Sequence, residues 1–580
     1  MEVRANGASA LVVPIFIKVK VDSTTTTSYF SFSIDFGTTN THVAYAKKKN
    51  DSDRISKSDI CSFDALLNKG NEDDRQVVTF HNDGGVADFS NFLTAFQREF
   101  VPEEIGEGKF VSFPMRTTTC QIDTRPSSLK MFANTNIGFN YNAELSKSKL
   151  YKTNIKWDRR DALSTDRLRE YFKEMLWLMK NKAVLNDGSD VFDLVVTYPQ
   201  SMREKDVENL MNAWRNAKQA VRCDVRLRYY FESVTPYYAY LSDLNYGEPY
   251  VNFDIGGGTT DILYINPLTC EAMSFSAFFA ANDLWNDGLN EDVEPKLNGF
   301  ITYYKNTNEY RQMDPVKKLD IDAVLENADS SADILSYLFT HDNVTRVSQA
   351  ISNSSEMMQL LVIHFSSLMY YLAYFIDIAE VELPTRISFT GMGSSYIKLI
   401  SNRSENIAKL VNNILDYYGK KAGIPEMKNS HVEVSFSSEP KVVTAKGGLI
   451  VKGHSRRIVP EACMYYGYKG ENGGKTLRYS DITQPKIDEV VSFFYSFLEL
   501  LTDDEFNAEL SELDYGITPE VVQKLRQYAK GSAKQMADLS KEGQPSMGKV
   551  KDPMFFWSLK DSLYILGKFL AANVSPHINK

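Results

Sequence analysis

Two stretches of this chain place a carboxylate, small residues and hydroxyls in the same order. The first is Ile34-Asp35-Phe36-Gly37-Thr38-Thr39-Asn40-Thr41; the second is Phe253-Asp254-Ile255-Gly256-Gly257-Gly258-Thr259-Thr260-Asp261. Glycine lets backbone N–H groups approach an anion because no Cβ stands in the way. Threonine hydroxyls add donors at the same turn. An aspartate before the turn can hold magnesium through water, since magnesium keeps most of its hydration and needs only one or two carboxylates. The set suits a polyphosphate carrying magnesium. A third turn, Thr390-Gly391-Met392-Gly393-Ser394, would let a flat ring lie close to backbone. A lone glycine turn is usually just a tight turn; three in this order are much more specific.

Strands must carry these turns. Phe30, Phe32, Ile34 and Phe36 alternate with polar residues, which predicts a strand with one apolar face. His42 to Ala46 predicts the returning strand, so the Gly-Thr run becomes a hairpin tip. Val251, Phe253 and Ile255 repeat the design around Asp254, with Ile262 to Ile265 returning. The repeat implies two related lobes. Helices are predicted over 166–180 and 201–217, with strands at 192–196 and 386–390. Such alternation favours an α/β layered architecture. Residues 1–28 read as an N-terminal extension, 29–245 as lobe I, 246–455 as lobe II and 456–580 as a helical C-terminal region. Helices are predicted there near 486–501, 519–539 and 553–572. Their aromatic faces (Phe493, Phe494, Phe497, Phe555, Phe556, Trp557) must be buried by one another, a lobe or a partner. Gly473-Gly474-Lys475-Thr476 looks like the end of a P-loop, but Lys469 stands where that motif needs glycine, so it reads as a hairpin loop.

The chain has 580 residues, room for about three to five domains at roughly 100–200 residues each. Composition is 43% hydrophobic, 24% charged and 12% aromatic, which excludes collagen, low-complexity disorder and a polytopic membrane protein. The net charge of −10 argues against general nucleic-acid binding. Cys61, Cys120, Cys223, Cys270 and Cys463 show no CxxC spacing, and no HExxH pair occurs among the histidines. Buried thiols in a reducing, cytoplasmic setting are expected, with no transition-metal site. Ala8 to Ile17 reads as a strand rather than a signal peptide. Met357 to Ile376 is long enough to span a bilayer, but Gln359, His364, Ser366 and Ser367 interrupt it. A core helix and no membrane insertion are expected.

The three turns together resemble the actin-like ATPase superfamily, which includes actins, seventy-kilodalton heat-shock chaperones and sugar kinases. The resemblance covers roughly residues 30–452. It implies a two-lobed fold of duplicated ribonuclease H-like lobes, here with a mostly helical C-terminal extension. The heat-shock chaperone ATPases are the nearer match. Residues 193–203 are similar to a chaperone strand and turn, Phe231 to Tyr240 to a second segment containing Glu232, and Ser438 to Leu449 to a hinge segment with small residues. The resemblance implies ATP or ADP with Mg2+ as ligands. Asp35 and Asp254 would hold magnesium through water. Gly37, Thr38, Thr39 and Asn40, with Gly256, Gly257, Gly258, Thr259 and Thr260, would contact phosphates. Gly391, Met392, Gly393 and Ser394 would form the adenosine turn. Glu232 would sit near the magnesium waters, Thr259 would position an attacking water, and Asp261 would support its turn. A chaperone lysine that reaches the γ-phosphate has three candidates here, Lys149, Lys152 and Lys156, of which Lys156 is favoured. The adenosine turn lacks the following basic residue of the chaperones, and no β-sandwich peptide-binding domain follows residue 450. The implied function is a slow ATPase whose cleft switches a protein client or partner. A filament-forming bacterial actin and a small-molecule kinase are the alternatives. Oligomeric state is left open. The C-terminal region is read either as an output module or as a layer packed on a lobe.

Overall fold

The computed structural model describes residues 2–5, 8–11, 28–66, 104–106, 108, 111–121, 135–139, 141, 151–157, 164–240, 247–269, 271–289, 298–328, 330–453, 461–462, 477–513, 515–542 and 544–573. Phe30, Phe32, Ile34 and Phe36 line one face of β1 (Tyr29–Phe36), which turns through the Gly37 loop into antiparallel β2 (Asn40–Lys48). β3 (Ile60–Ser62) pairs antiparallel with β2. On the other side of β1 lie β4 (Val191–Tyr198) and then β5 (Asp224–Phe231), both parallel to it. The order is β5-β4-β1-β2-β3.

The second sheet is built the same way. β6 (Tyr250–Ile255), β7 (Thr260–Asn266) and β8 (Glu271–Ala277) form an antiparallel run. β9 (Arg386–Thr390) and β10 (Glu433–Phe436) add in parallel on the far side of β6. The order is β10-β9-β6-β7-β8, with β11 (Glu461–Ala462) joining β8 in parallel. Two sheets with one strand order are what the repeated motif implies, and the chain is mixed α/β.

Helices α1 (Ser164–Leu185) and α2 (Glu204–Val221) cover the Phe30/Phe32/Ile34 face of the first sheet, burying Tyr171, Phe172, Met175 and Trp214. α2 starts three residues later than the sequence pattern predicts, because Ser201 and Met202 turn the chain out of β4. α3 (Thr235–Tyr240) follows β5. In the second half α4 (Ser355–Ala379) and α5 (Ser404–Ala422) cover the sheet, and α6 (Val442–Gly453) follows β10. Every residue of α4 from Met357 to Ile376 is buried, so this apolar helix is a core element. Gln359 accepts from Thr518 N, His364 is held on both ring nitrogens and Ser367 donates to His364 O, whereas the buried Ser366 hydroxyl has no partner among the described residues.

α3 and α6 join the halves. Val234, Tyr237 and Tyr238 pack with Ala445, Leu449 and Ile450 between Ala44 and Ala46 of β2 and Leu263 and Ile265 of β7. The helices touch so closely that a Cβ on Gly447 would run into Thr235 O, and one on Gly448 into Ser33 Oγ. The expected single apolar face of β1 is present, and the opposite face is buried as well: Ser31 and Ser33 lie fully covered under α6. Their small size makes room for the helix.

The C-terminal helices α7 (Gln484–Leu500), α8 (Pro519–Lys541) and α9 (Trp557–Asn573) are not a separate unit. Phe494, Phe497, Leu525, Phe555, Phe556 and Leu566 share one core with α4, α5 and the second sheet. Phe556 stacks on Phe279 at 4.7 Å, and Phe493 meets Tyr374 at 4.6 Å. Of the aromatic faces, Phe493, Phe494, Phe497, Phe555 and Phe556 pack on the second half, while Trp557 lies in a smaller core that the C-terminal region forms by itself with Ile487, Val490 and Ala533.

Candidate functional site

The two aspartates occupy equivalent places. Asp35 is the last residue but one of β1, opposite Thr197 of parallel β4; Asp254 is the last but one of β6, opposite Thr390 of parallel β9. Each threonine donates its hydroxyl to the carbonyl before the aspartate, Thr197 to Ile34 O and Thr390 to Phe253 O, both at 3.3 Å. The glycine turns that follow face each other across a cleft. A Cβ on Gly257 would run into Thr39 Oγ1, and one on Gly258 would come within 2.8 Å of Thr38 Oγ1 and 2.9 Å of Trp157 Nε1. Glycine is required there because the opposite turn is already in contact.

Each turn is held from behind. Thr117 N donates to Thr39 O and Thr117 Oγ1 to Gly37 O, both at 2.9 Å. Tyr171 OH donates to Thr41 Oγ1, itself 2.8 Å from Thr117 Oγ1. Trp157 Nε1 donates to Thr38 Oγ1 at 2.7 Å. The second turn is closed by Gly256 N on Thr259 O and backed by Asn282 N on Gly257 O at 2.8 Å. The backing segment is in turn fixed by the C-terminal region: Phe278 N donates to Asp552, and Lys560 pairs with Asp283 at 2.8 Å. The third turn depends on its glycine. Gly391 has φ +78°, and a Cβ there would strike Ile255 O and Asp254 Oδ1.

Four carboxylates and two ammoniums meet in this cleft. Lys156 pairs with Glu232 at 2.8 Å, and Lys441 pairs with Asp35 at 2.7 Å. Asp254 accepts from Thr444 Oγ1 at 2.7 Å. Burial, and next the charge of Asp35, push the Asp254 carboxyl up to about 7, against the Thr444 hydroxyl. Asp261 accepts from Gln200 N at 3.4 Å, and burial, Glu232 and Asp254 hold it well above the usual range. Burial likewise raises Glu232, opposed by Lys156. Burial works against the Lys441 ammonium, but Asp35, Asp254 and Glu232 together outweigh it and hold it above the ordinary lysine value. The cleft thus concentrates negative charge that calls for cations or protons.

Most residues singled out from the sequence converge here. Asp35, Gly37, Thr38, Thr39 and Asn40 line one wall; Asp254, Gly256, Gly257 and Thr259 line the other, with Lys156, Glu232, Gly391 and Met392 between them. Among the lysine candidates Lys156 reaches the cleft, Lys152 lies in a short strand paired with Thr119, and position 149 is outside the described residues. Four residues do not line it. Thr260 turns inward and donates to Phe279 O at 2.6 Å. Gly258 packs on the opposite turn, Gly393 against Gly256 O, and Ser394 donates back to Gly391 O at 2.8 Å. Asp35, expected to hold magnesium through water, is paired with Lys441. Cys270, Cys463 and the Gly473–Thr476 loop lie outside the described residues.

Lys441, Thr444, Thr117 and Trp157 were not singled out as site residues. The signal for the first two was present: a lysine just before a helix and a threonine three residues on, in the segment marked for its small residues. Thr117 sits in a Thr-Thr-Thr run with nothing local to mark it. Among the described residues no three carboxylate, histidine or cysteine side chains converge to ligate a metal directly. A magnesium ion here would keep most of its water, and Asp35 and Asp254 both line the cleft that would receive it. No protein-family model matches the chain, and no curated protein matches its sequence significantly.

Proposed function

We propose that this chain is a nucleotide-binding protein of the two-lobed actin-like ATPase architecture, which hydrolyses ATP slowly and uses closure of the cleft as a switch for a protein partner. The observation that carries the reading is the equivalence of the two aspartate–glycine hairpins: same position in sheets of the same strand order, same threonine support, facing turns. Backbone N–H groups of the Gly37–Asn40 and Gly256–Thr259 turns would take the phosphates from two sides, with hydroxyls of Thr38, Thr39 and Thr259 adding donors. Lys156, on Glu232, supplies positive charge to the terminal phosphate. Asp254, whose carboxyl sits near 7, is placed to hold a magnesium water or to accept the proton of an attacking water. Magnesium, when bound with the nucleotide, would neutralise charge developing on the phosphate oxygens.

Switching is supported by where the halves touch. They share an apolar joint at α3 and α6, and elsewhere meet through polar contacts and the Trp157–Phe278 ring contact at 4.8 Å. Arg116 and Thr153 meet Asp333 on one side; Ser201 meets Ser276 and Gln200 meets Ser274 on the other. Phosphates bridging both turns would favour closure, and loss of the γ-phosphate would relax it. Calorimetry with ATP and ADP tests the reading first: no binding of either nucleotide would overturn it. Asp254→Asn should lower magnesium-dependent turnover without a matching fall in Tm. Affinity capture in ATP and in ADP should retain a partner in only one state.

A further inference from the structure

The start of α6 reaches both aspartates. Lys441, directly before the helix, holds Asp35, and Thr444, three residues on, donates to Asp254. Gly391 N donates to Pro440 O at 2.9 Å, so the third turn fixes the backbone beside Lys441. The Lys441 side chain is 12% exposed and lines the cleft with Gly37 and Thr38. A Cβ on Gly37 would lie 2.5 Å from its Nζ, so the ammonium stands beside the first glycine turn, where a phosphate must approach. Its partner Asp35 is the carboxylate to which the first motif assigns magnesium.

We propose that Lys441 is a resident cation of this site: it contacts the phosphates of the bound nucleotide directly and supplies at Asp35 the positive charge that magnesium would otherwise bring. The inference rests on the nucleotide-binding reading. An ammonium has three N–H donors, so one on Asp35 leaves others for phosphate oxygens. Without it a polyphosphate entering this cleft would meet four carboxylates offset, among the described residues that line it, by Lys156 alone. A cation delivered by the fold does not depend on free metal. Nucleotide affinity should therefore persist without a divalent ion, and magnesium should add to it through Asp254.

The test is calorimetric titration of the full chain with ADP and ATP, in magnesium and in EDTA. Wild-type protein should bind in both buffers. Lys441→Met should lose at least about tenfold in EDTA, the range expected for a charged hydrogen bond, and less in magnesium. Lys441→Arg should recover much of the loss. Wild-type binding in magnesium that vanishes in EDTA would overturn the inference while leaving the nucleotide reading intact, and it needs no variant to fold. A Lys441→Met protein that is folded by circular dichroism and binds like wild type in EDTA would also overturn it. No binding in either buffer would overturn the nucleotide reading, and the inference with it.

Discussion

Asp35 and Asp254 hold the same place in two sheets of one strand order, yet Asp35 faces an ammonium and Asp254 a hydroxyl. The turns behind them differ as well. The first is clamped by Thr117, Tyr171 and Trp157, all from its own half. The second is backed by the segment around Phe278 to Asp283, which the C-terminal helices hold in place. A duplicated sequence device has thus been given two electrostatic settings and two kinds of support. The lesson is that the carboxylate's type and position are set by the strand, while its charge state is set by whatever the rest of the chain brings beside it.

The largest break in this comparison should come from removing the C-terminal support. Each buried Phe or Leu side chain contributes about 1.5–3 kcal/mol. Losing Phe494, Phe497, Phe555, Phe556 and Leu566 together reaches the roughly 5–15 kcal/mol that holds a domain folded. A chain ending at residue 455 should therefore aggregate on size-exclusion chromatography, whereas the first half meets the end of α8 through a polar contact, Arg203 donating to Glu542 O. A monodisperse truncated protein that binds ATP like the full chain would restore the output-module reading.

Next in size is Gly257→Val. Its side chain would press on Thr39 across the cleft and on Asn282 behind. Overpacking costs about 1–3 kcal/mol, so ATP affinity should fall by about five- to a hundredfold in calorimetry. Thr117→Val probes the first turn more gently. It removes two hydrogen bonds, to Gly37 O and with Thr41 Oγ1, but keeps the backbone bond to Thr39; at about 0.5–1 kcal/mol each, affinity should fall by roughly five- to thirtyfold. A loss larger than that of Gly257→Val would reverse the ranking of the two walls.

The smallest effect separates the halves by pH. Each buries in its central helix a titratable group whose charged form burial opposes: Glu174 in α1 and His364 in α4. Burial raises Glu174 from the usual 4.5 to about 8, opposed by its hydrogen bond from Ile137 N. Its contribution is fully present below the unfolded value and is lost as pH rises to about 8. Glu174→Gln, which keeps an acceptor for Ile137 N, should raise Tm relative to wild type at pH 9 and leave it unchanged at pH 4. Burial lowers His364 from 6.5 to about 3, so its contribution is present above 6.5 and is lost as pH falls toward 3. Thermal melts of wild type and Glu174→Gln across pH 4 to 9 would show both arms; equal Tm differences at the two ends would refute the assignment to Glu174.

The hairpins, the aspartates before them and the glycines that let the turns approach were legible in the sequence because strand alternation and turn chemistry are local. The same holds for the repeat, which fixed where Asp254 would lie once Asp35 was placed, and for α4, whose length and polar interruptions mark a core helix. Three things were decided only in three dimensions. Ser31 and Ser33 are only the polar half of the alternation in sequence, and α6 arrives from far along the chain to cover them. The aromatic faces of α7 and α9 must be covered by something, and a sequence does not say by what; here it is α4 and the second sheet. Asp35 carries its own code for a metal site, but the ion beside it is Lys441, whose ammonium is brought within 2.7 Å by the packing of α6 against the first sheet. Local pattern fixes which groups a strand or turn presents. Which partner meets them depends on long-range packing, since a charge or an apolar face can be satisfied by any complementary surface that the rest of the chain delivers.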